Sequence, residues 1–216
     1  MTKHHINKTT QYLHSLLVEQ KPWQRKLEQY AKAYRIPIID RITMNVLTQY
    51  VILHQPSRIL EIGTAIGYST LCMHEAYPKA EIVTIEKDDM MYNQAQKNIE
   101  CYKQHDRIHL LKGDAVTLLE TIDQHFPSFD FVFIDAAKSQ YNTYVDRIEP
   151  LLTKGSILVA DNVLFRGYVS GEYDVPRRYK TLVKKISSFN ERMMNDNKYD
   201  SSLLPIGDGL LICVKR

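Results

Sequence analysis

The sequence has few cysteines and no long apolar run. Cys72, Cys101 and Cys213 are far apart and form no CxxC pair, so neither a zinc site nor a disulfide framework is indicated, and a reducing compartment is favoured. No stretch approaches the roughly 18 apolar residues of a membrane span. The first eight residues also lack the apolar core of a secretion signal. We therefore expect a cytoplasmic protein that does not contact a membrane.

A large excess of one charge is also absent. The chain carries 28 Lys and Arg against 25 Asp and Glu, a net charge of +3, which does not by itself indicate a nucleic-acid partner. Its 216 residues suit one α/β domain with a substantial core. Because no repeat or low-complexity linker divides it, we predict a single domain over residues 1–216, with residues 1–35 as an N-terminal helical extension.

Strand-like and helix-like segments alternate along most of the chain, beginning near residue 59. This alternation predicts βαβ units in a parallel sheet. Near the C-terminus, Gly207-Asp208-Gly209 separates two apolar runs, which is typical of a β-hairpin. The predicted fold is α/β, with a mostly parallel seven-stranded sheet, helices on both faces and a C-terminal antiparallel hairpin.

A glycine loop follows the first predicted strand, in residues 61–69, EIGTAIGYS. It is not the GxGxxG of dinucleotide-binding proteins, because Ala65 stands where the second glycine would approach a pyrophosphate. S-adenosylmethionine has no phosphate and suits this loop better. Glu86 ends the next strand and can accept two hydrogen bonds from a ribose diol. The third strand ends in Gly113-Asp114-Ala115, where Asp114 would accept from the adenine amino group; the alternative for the glycine loop is an ordinary turn.

Oxygen-bearing side chains end the fourth and fifth predicted strands. These are Asp135, followed by Asp161 and Asn162. Such ligands favour a hard cation, Mg²⁺ or else Mn²⁺ or Ca²⁺, although Asp135 could instead cap a helix and Asp161-Asn162 form a turn. Lys138 follows Asp135 by three residues; a nearby cation favours its neutral form, which could take a proton from a substrate hydroxyl. The alternative for Lys138 is a solvated surface lysine.

Six segments resemble the metal-dependent O-methyltransferase family that includes the catechol and caffeoyl-CoA enzymes. They are LEIGTAIGYS, VTIEKD, KGDA, FDFVFIDAAKSQY, ILVADNVLFRG and LLPIGDGLLICVK, and the likeness runs from about residue 36 to the C-terminus. It implies a Rossmann-like class I methyltransferase fold and a cation held by Asp135, Asp161 and Asn162, with Lys138 as catalytic base beside Asp135. It also implies that S-adenosylmethionine is bound by Ile39, Glu61, Gly63, Ser69, Glu86, Gly113, Asp114, Ala115 and Asp135.

Within this family, DNVLFRGYV and the short N-terminus resemble the bacterial branch that methylates 5-hydroxyuridine at the tRNA wobble position to 5-methoxyuridine. The resemblance also implies a homodimer. Arg166, Arg177 and Arg178 would contact tRNA phosphates, unless they belong to a solvated helix face. A catechol offers the same pair of neighbouring oxygens as 5-hydroxyuracil, so a catechol-like small molecule is the alternative substrate.

Two other classes of protein fit the sequence less well. A nicotinamide dehydrogenase would need a different glycine spacing and would have no use for Asp161-Asn162. A cofactor-binding module without catalysis would not need Lys138 beside a complete ligand set. We therefore predict an S-adenosylmethionine-dependent O-methyltransferase.

Overall fold

A computed structural model describes residues 8–102 and 106–216. Residues 1–7 lie outside the described residues. They are the start of the predicted N-terminal extension and most of the segment in which a secretion signal was sought. Within the described residues, no helix is long and apolar enough to cross a membrane.

In the described residues, three helices precede the sheet. They are α1 (Lys8–Ser15), α2 (Pro22–Tyr34) and α3 (Arg41–His54). Proline at the first position of α2 loses no hydrogen bond, since that N–H has no helical partner. Asp40 caps α3: its carboxylate accepts from the Ile42 N–H at 2.9 Å, which satisfies a free donor at the helix start.

Seven strands form one sheet in the order β3-β2-β1-β4-β5-β7-β6. The first five are parallel, whereas β7 runs antiparallel between β5 and β6, so the predicted fold class and hairpin are confirmed. The strands are β1 (Arg58–Ile62), β2 (Glu81–Glu86), β3 (Ile108–Lys112), β4 (Phe129–Ile134), β5 (Leu152–Asp161), β6 (Tyr199–Leu204) and β7 (Leu210–Lys215). The helices between them are α4 (Tyr68–Ala76), α5 (Asp89–Cys101), α6 (Ala115–Leu118), α7 (Tyr141–Ile148) and α8 (Lys180–Asn195).

The central strands are buried on both faces. Phe131 and Phe133 of β4 pack with one layer of helices, and Val132 and Ile134 pack with the other. This alternation explains why the run reads as continuously apolar, because a parallel sheet covered on both sides has no polar face. The arrangement places β1, β4 and β5 side by side, so their carboxyl ends meet at one edge.

Two elements have bounds that the sequence pattern does not indicate. Helix α6 has only four residues and is followed by a short 3₁₀ turn at Ile122–Gln124. Strand β5 begins at Leu152, before Gly155. Its first residues are held by Ser156, whose hydroxyl accepts from the Thr153 N–H and donates to the Phe129 carbonyl. The contact with Phe129 connects residues that are distant in sequence, which the local sequence pattern does not show.

Candidate active site

The carboxyl ends of the first five strands open into one cavity of about 1070 Å³. Most of the residues predicted to form the site line it, as expected for ligand binding outside the carboxyl ends of a parallel sheet. The predicted lining residues are Ile39, Gly63, Ser69, Glu86, Gly113, Asp114, Ala115, Asp135, Lys138, Asp161, Asn162 and Arg166.

The glycine loop is held close to the neighbouring strand. Gly63 has φ +100°, and a Cβ added there would collide with the carbonyl oxygen of Asp135. The Gly63 N–H donates to the Ile85 carbonyl at 3.0 Å. Gly67, with φ +82°, begins α4. Both positions have backbone that L-residues rarely adopt, and Gly63 lies on the cavity wall.

Glu61 lies behind this loop rather than in the cavity wall. Its side chain is fully buried, and its two oxygens accept from the hydroxyls of Ser69 at 2.5 Å, Thr84 at 2.6 Å and Thr70. Burial raises the pKa of Glu61, and the three hydroxyls lower it in part. The carboxylate therefore joins β1, β2 and α4, while its predicted contact with a cofactor stays a prediction.

Glu86 faces the cavity beside the loop. One oxygen accepts from the Ala65 N–H and the other from the Asp88 N–H, each at 2.8 Å. Because each carboxylate oxygen has two lone pairs, both keep acceptor capacity for a ligand diol. Asp114 accepts from the Val116 N–H at 2.9 Å and caps α6, so its second oxygen remains available at the cavity edge.

Asp135 and Asp161 place two carboxyl groups at the ends of adjacent strands. Asp161 is 2 % exposed; burial, followed by the charge of Asp135, raises its pKa to about 8. The pKa of Asp135 is also raised by burial, while Lys138 lowers it in part. The Lys138 ammonium lies 3.6 Å from an Asp135 oxygen. Two carboxylates this close repel each other, and a cation bound between them would stabilise their ionised forms.

Asn162 completes the predicted oxygen set. It has φ +57°, a left-handed conformation that asparagine tolerates better than most residues, and its N–H donates to the Asp161 carboxylate at 2.6 Å. Among the described residues, no group of three or more His, Cys, Asp or Glu side chains could hold a metal ion. The candidate set has two carboxylates and one carboxamide, and hard oxygen donors of this kind fit Mg²⁺ chemistry.

The loop after Asn162 carries Arg166 to the cavity wall. Arg166 has φ +60°, and its N–H donates to the carboxylate of Asp208. Arg177 and Arg178 do not line the cavity; they are exposed in a 3₁₀ turn, Arg177–Tyr179. The three arginines predicted to bind substrate are thus divided between the wall and the surface beside it.

Several lining residues were not predicted. They come from α1 and from the loop between β6 and β7, and include Leu13, His14, Ile206 and Asp208. From the sequence, Asp208 is expected only in a hairpin turn. The order of the strands places this turn beside β5 and the loop after Asn162. Helix α1 has no buried residue, so its periodicity carries no signal for a place beside the cavity.

Comparisons with known proteins agree with this geometry. The family model described as O-methyltransferase matches residues 8–216. Caffeoyl-CoA O-methyltransferase from Populus kitakamiensis is 32% identical over 161 residues, 72% of this chain and 68% of that protein. Catechol O-methyltransferase from Niastella koreensis is 32% identical over 152 residues, 69% of this chain and 67% of that protein.

A solved structure is similar over nearly the whole chain. The O-methyltransferase from Bacillus cereus in complex with SAH is 25% identical, with a TM-score of 0.85 and coverage of 97% of each chain. The match to the family model spans all of the described residues. The chain belongs to the O-methyltransferase family.

Proposed function

We propose that this protein transfers the methyl group of S-adenosylmethionine to 5-hydroxyuridine in tRNA, with the help of a divalent cation. The observation that carries the proposal is the single cavity in which the glycine loop, Asp135, Asp161 and Lys138 meet. Family membership supports the reaction class, while cofactor, cation and substrate are argued separately below.

S-adenosylmethionine as methyl donor is supported by the relative bound to SAH and by the cavity wall. The Gly63 backbone lines the cavity, and Glu86 keeps acceptor capacity for a ribose diol. Ile39 is an apolar lining residue on the same cavity, suited to contact an adenine ring. The wall has no GxGxxG loop for a pyrophosphate, which argues against a dinucleotide.

A hard cation is supported by the chemistry of Asp135, Asp161 and Asn162. Burial, followed by repulsion from Asp135, raises the pKa of Asp161 to about 8, and a positive charge between the two carboxyl groups would relieve this repulsion. When bound, a cation of this kind lowers the pKa of a chelated hydroxyl and fixes its direction.

The chain itself would orient the reactants and accept the proton. Lys138, near Asp135 at 3.6 Å, is placed to take the proton of the reacting hydroxyl. The glycine loop would hold the methyl donor in the same cavity, beside Asp135, and such positioning supplies much of the rate of a transfer between two bound reactants. The hydroxyl oxygen then displaces the thioether from the methyl carbon.

The substrate must offer two neighbouring oxygens. 5-Hydroxyuridine does so through O5 and O4, and the exposed basic residues beside the cavity, including Arg166, support a phosphate-bearing substrate. A catechol-like small molecule is the second candidate, favoured by the likeness to the Niastella koreensis enzyme.

A direct comparison of the two acceptors distinguishes these substrates. Purified protein is incubated with S-adenosylmethionine, Mg²⁺ and, in parallel, tRNA containing 5-hydroxyuridine or a catechol, and the products are identified by mass spectrometry. The proposal predicts 5-methoxyuridine in the tRNA. Methylation of the catechol but not of the tRNA would show that the substrate is a catechol-like molecule and not tRNA. Methylation of neither acceptor would overturn the proposed reaction.

We also propose a homodimer, because large apolar side chains are exposed near the N-terminal helices. Tyr12, Leu16 and Val18 are 63%, 61% and 87% exposed, and Leu53 is 81% exposed. Exposed apolar patches of this kind often mark protein contacts. Sedimentation equilibrium should give twice the chain mass, and Val18→Asp with Leu53→Asp should return the monomer; a monomeric wild type would exclude the dimer.

A further inference from the structure

Two guanidinium groups lie against one tyrosine ring beside the cavity. The guanidinium carbon of Arg178 is 4.6 Å from the ring centre of Tyr179, and that of Arg166 is 5.8 Å from the same centre. Both distances lie within the range of cation–π attraction. Tyr179 therefore contacts both Arg166, on the cavity wall, and Arg178, on the adjacent surface.

The tyrosine ring is itself anchored by other aromatic rings. Its centre is 5.4 Å from Phe165 in an edge-on arrangement and 5.9 Å from Tyr168 in a stacked one, and Tyr168 is buried. Aromatic contacts of this geometry add stability beyond the area they bury. The arginines thus rest on a fixed platform rather than on a mobile side chain.

Within the residues that the structure describes, neither Arg166 nor Arg178 forms a salt bridge with an Asp or Glu side chain. Five other arginines in the described residues each pair with a carboxylate: Arg25, Arg58, Arg147, Arg192 and Arg216. Glu172, on the same loop, is hydrogen-bonded to Tyr173 instead. Two neighbouring cations repel each other, so an anion bound between them would be stabilised.

The backbone connects Arg166 directly to the candidate reaction centre at Asn162. Arg166 follows Asn162 by four residues, and Phe165 and Arg166 both have left-handed φ, +40° and +60°. Such conformations cost energy in non-glycine residues and persist where surrounding contacts enforce them; here the Asp208 carboxylate accepts the Arg166 N–H. An anion on the platform would lie at the rim of the same cavity.

We propose that Arg166 and Arg178, supported by Tyr179, bind a phosphate group that is part of the methyl-acceptor substrate, and so select nucleotide-type substrates over free phenols. Guanidinium groups match phosphate oxygens in pairs, which is why arginine is favoured at such sites. This inference rests on the proposed function. The phosphate would be a phosphodiester of RNA or a phosphate of a coenzyme A thioester, and the test below separates these sources.

The test measures methylation kinetics on four acceptors with S-adenosylmethionine and Mg²⁺. These are an RNA hairpin containing 5-hydroxyuridine, the free 5-hydroxyuridine nucleoside, caffeoyl-CoA and catechol. Arg166→Ala and Arg178→Ala should raise KM for the phosphate-bearing acceptor at least about tenfold, as for the loss of a hydrogen bond to a charged group. KM for the nucleoside and for catechol should not change.

Further variants separate a binding role from a structural one. Arg178→Lys keeps the charge without the planar group and should give a smaller KM increase. Arg107→Ala, an exposed arginine at the amino end of β3, removes the same charge elsewhere and should have no effect. For RNA, each lost phosphate contact should reduce the slope of log binding constant against log salt by about 0.7.

The outcomes point to different conclusions. A KM increase confined to the RNA hairpin or confined to caffeoyl-CoA supports the phosphate site and identifies its source. Methylation of the RNA hairpin with unchanged KM in both alanine variants overturns the phosphate site alone. An equal KM increase for RNA and nucleoside, or in Arg107→Ala, overturns it as well. Wild-type methylation of catechol only overturns the tRNA substrate and the phosphate site together.

Discussion

The α-carbon of Gly63 lies so close to the backbone carbonyl of Asp135 that no side chain fits between them. The contact joins the end of β1 to the end of β4, which are paired strands. The loop proposed to hold the methyl donor and the residue proposed to hold the cation are therefore packed directly against each other. Their relative position is set by the sheet and does not depend on flexible side chains.

Gly63→Ala should damage both stability and cofactor binding. The new Cβ meets the Asp135 carbonyl at φ +100°, and strain plus overpacking should lower the free energy of unfolding by about 2–5 kcal/mol. Gly155→Ala is a matched control, because Gly155 also has positive φ, +84°, but open space around it. Urea unfolding and calorimetric titration with S-adenosylhomocysteine measure both effects; equal losses in the two variants would refute the role of the contact.

Glu61→Gln should destabilise the region beneath the loop. The carboxylate accepts from three hydroxyls, whereas an amide can accept only through one atom and must direct its N–H₂ at a hydroxyl. We expect a loss of about 1.5–3 kcal/mol of unfolding free energy together with weaker cofactor binding. Glu120→Gln, at an exposed pair with Arg147, should change stability by less than about 1 kcal/mol; a neutral Glu61→Gln would show that the hydroxyl contacts contribute little.

Much of this site could be predicted from sequence because the acids end apolar runs. In a parallel sheet those ends converge, so Glu86, Asp135 and Asp161 were expected at one edge, and they line one cavity. Glu61 shows the limit of this reasoning. It also ends an apolar segment, but its side chain points behind the loop, since Thr70 and Thr84 supply donors there and are distant from it in sequence.

The sequence predicted Arg166 and Arg178 as phosphate contacts, but their meeting at Tyr179 could not be predicted, for a related reason. Arg166 and Arg178 are separated by a loop whose path has no periodicity, and their meeting point, Tyr179, has no distinguishing sequence pattern. The contact of Asp208 with Arg166 likewise depends on the order of strands at the C-terminal edge. Short-range pattern specified which elements form, and long-range packing specified which side chains reach the cavity.

Lys138→Met should abolish most turnover without loss of cofactor affinity. The substitution keeps an aliphatic side chain of similar length and removes the group placed to accept the proton, and loss of such a group typically lowers rates by about 10²–10⁴. Lys112→Met is the control, because Lys112 is exposed and pairs with Asp89. Single-turnover rates and S-adenosylhomocysteine affinity are measured for both; a turnover rate of Lys138→Met near wild type would remove Lys138 as the base.

Stability without metal should fall as pH rises through neutrality. The pKa of Asp161 is raised from 3.8 to about 8 in the folded chain, so the folded state binds this proton more tightly than the unfolded state. The unfolding free energy therefore decreases from about pH 4 to about pH 8, where the ionised form must be held in a buried site.

Asp161→Asn should flatten this pH dependence, because the amide does not titrate. Urea unfolding in EDTA between pH 5 and pH 9 measures the slope. Added Mg²⁺ should reduce the decline in the wild type by binding the ionised carboxylate of the folded state. A slope unaffected by Asp161→Asn would show that other groups cause it.

The most direct test of the account is methyl transfer before and after removal of divalent cations. Protein treated with EDTA and desalted should lose methylation of its acceptor, and Mg²⁺ or Mn²⁺ should restore it in the wild type but not in Asp161→Asn. Undiminished methyl transfer in the chelated protein, or full restoration in Asp161→Asn, would contradict a cation bound by Asp135, Asp161 and Asn162.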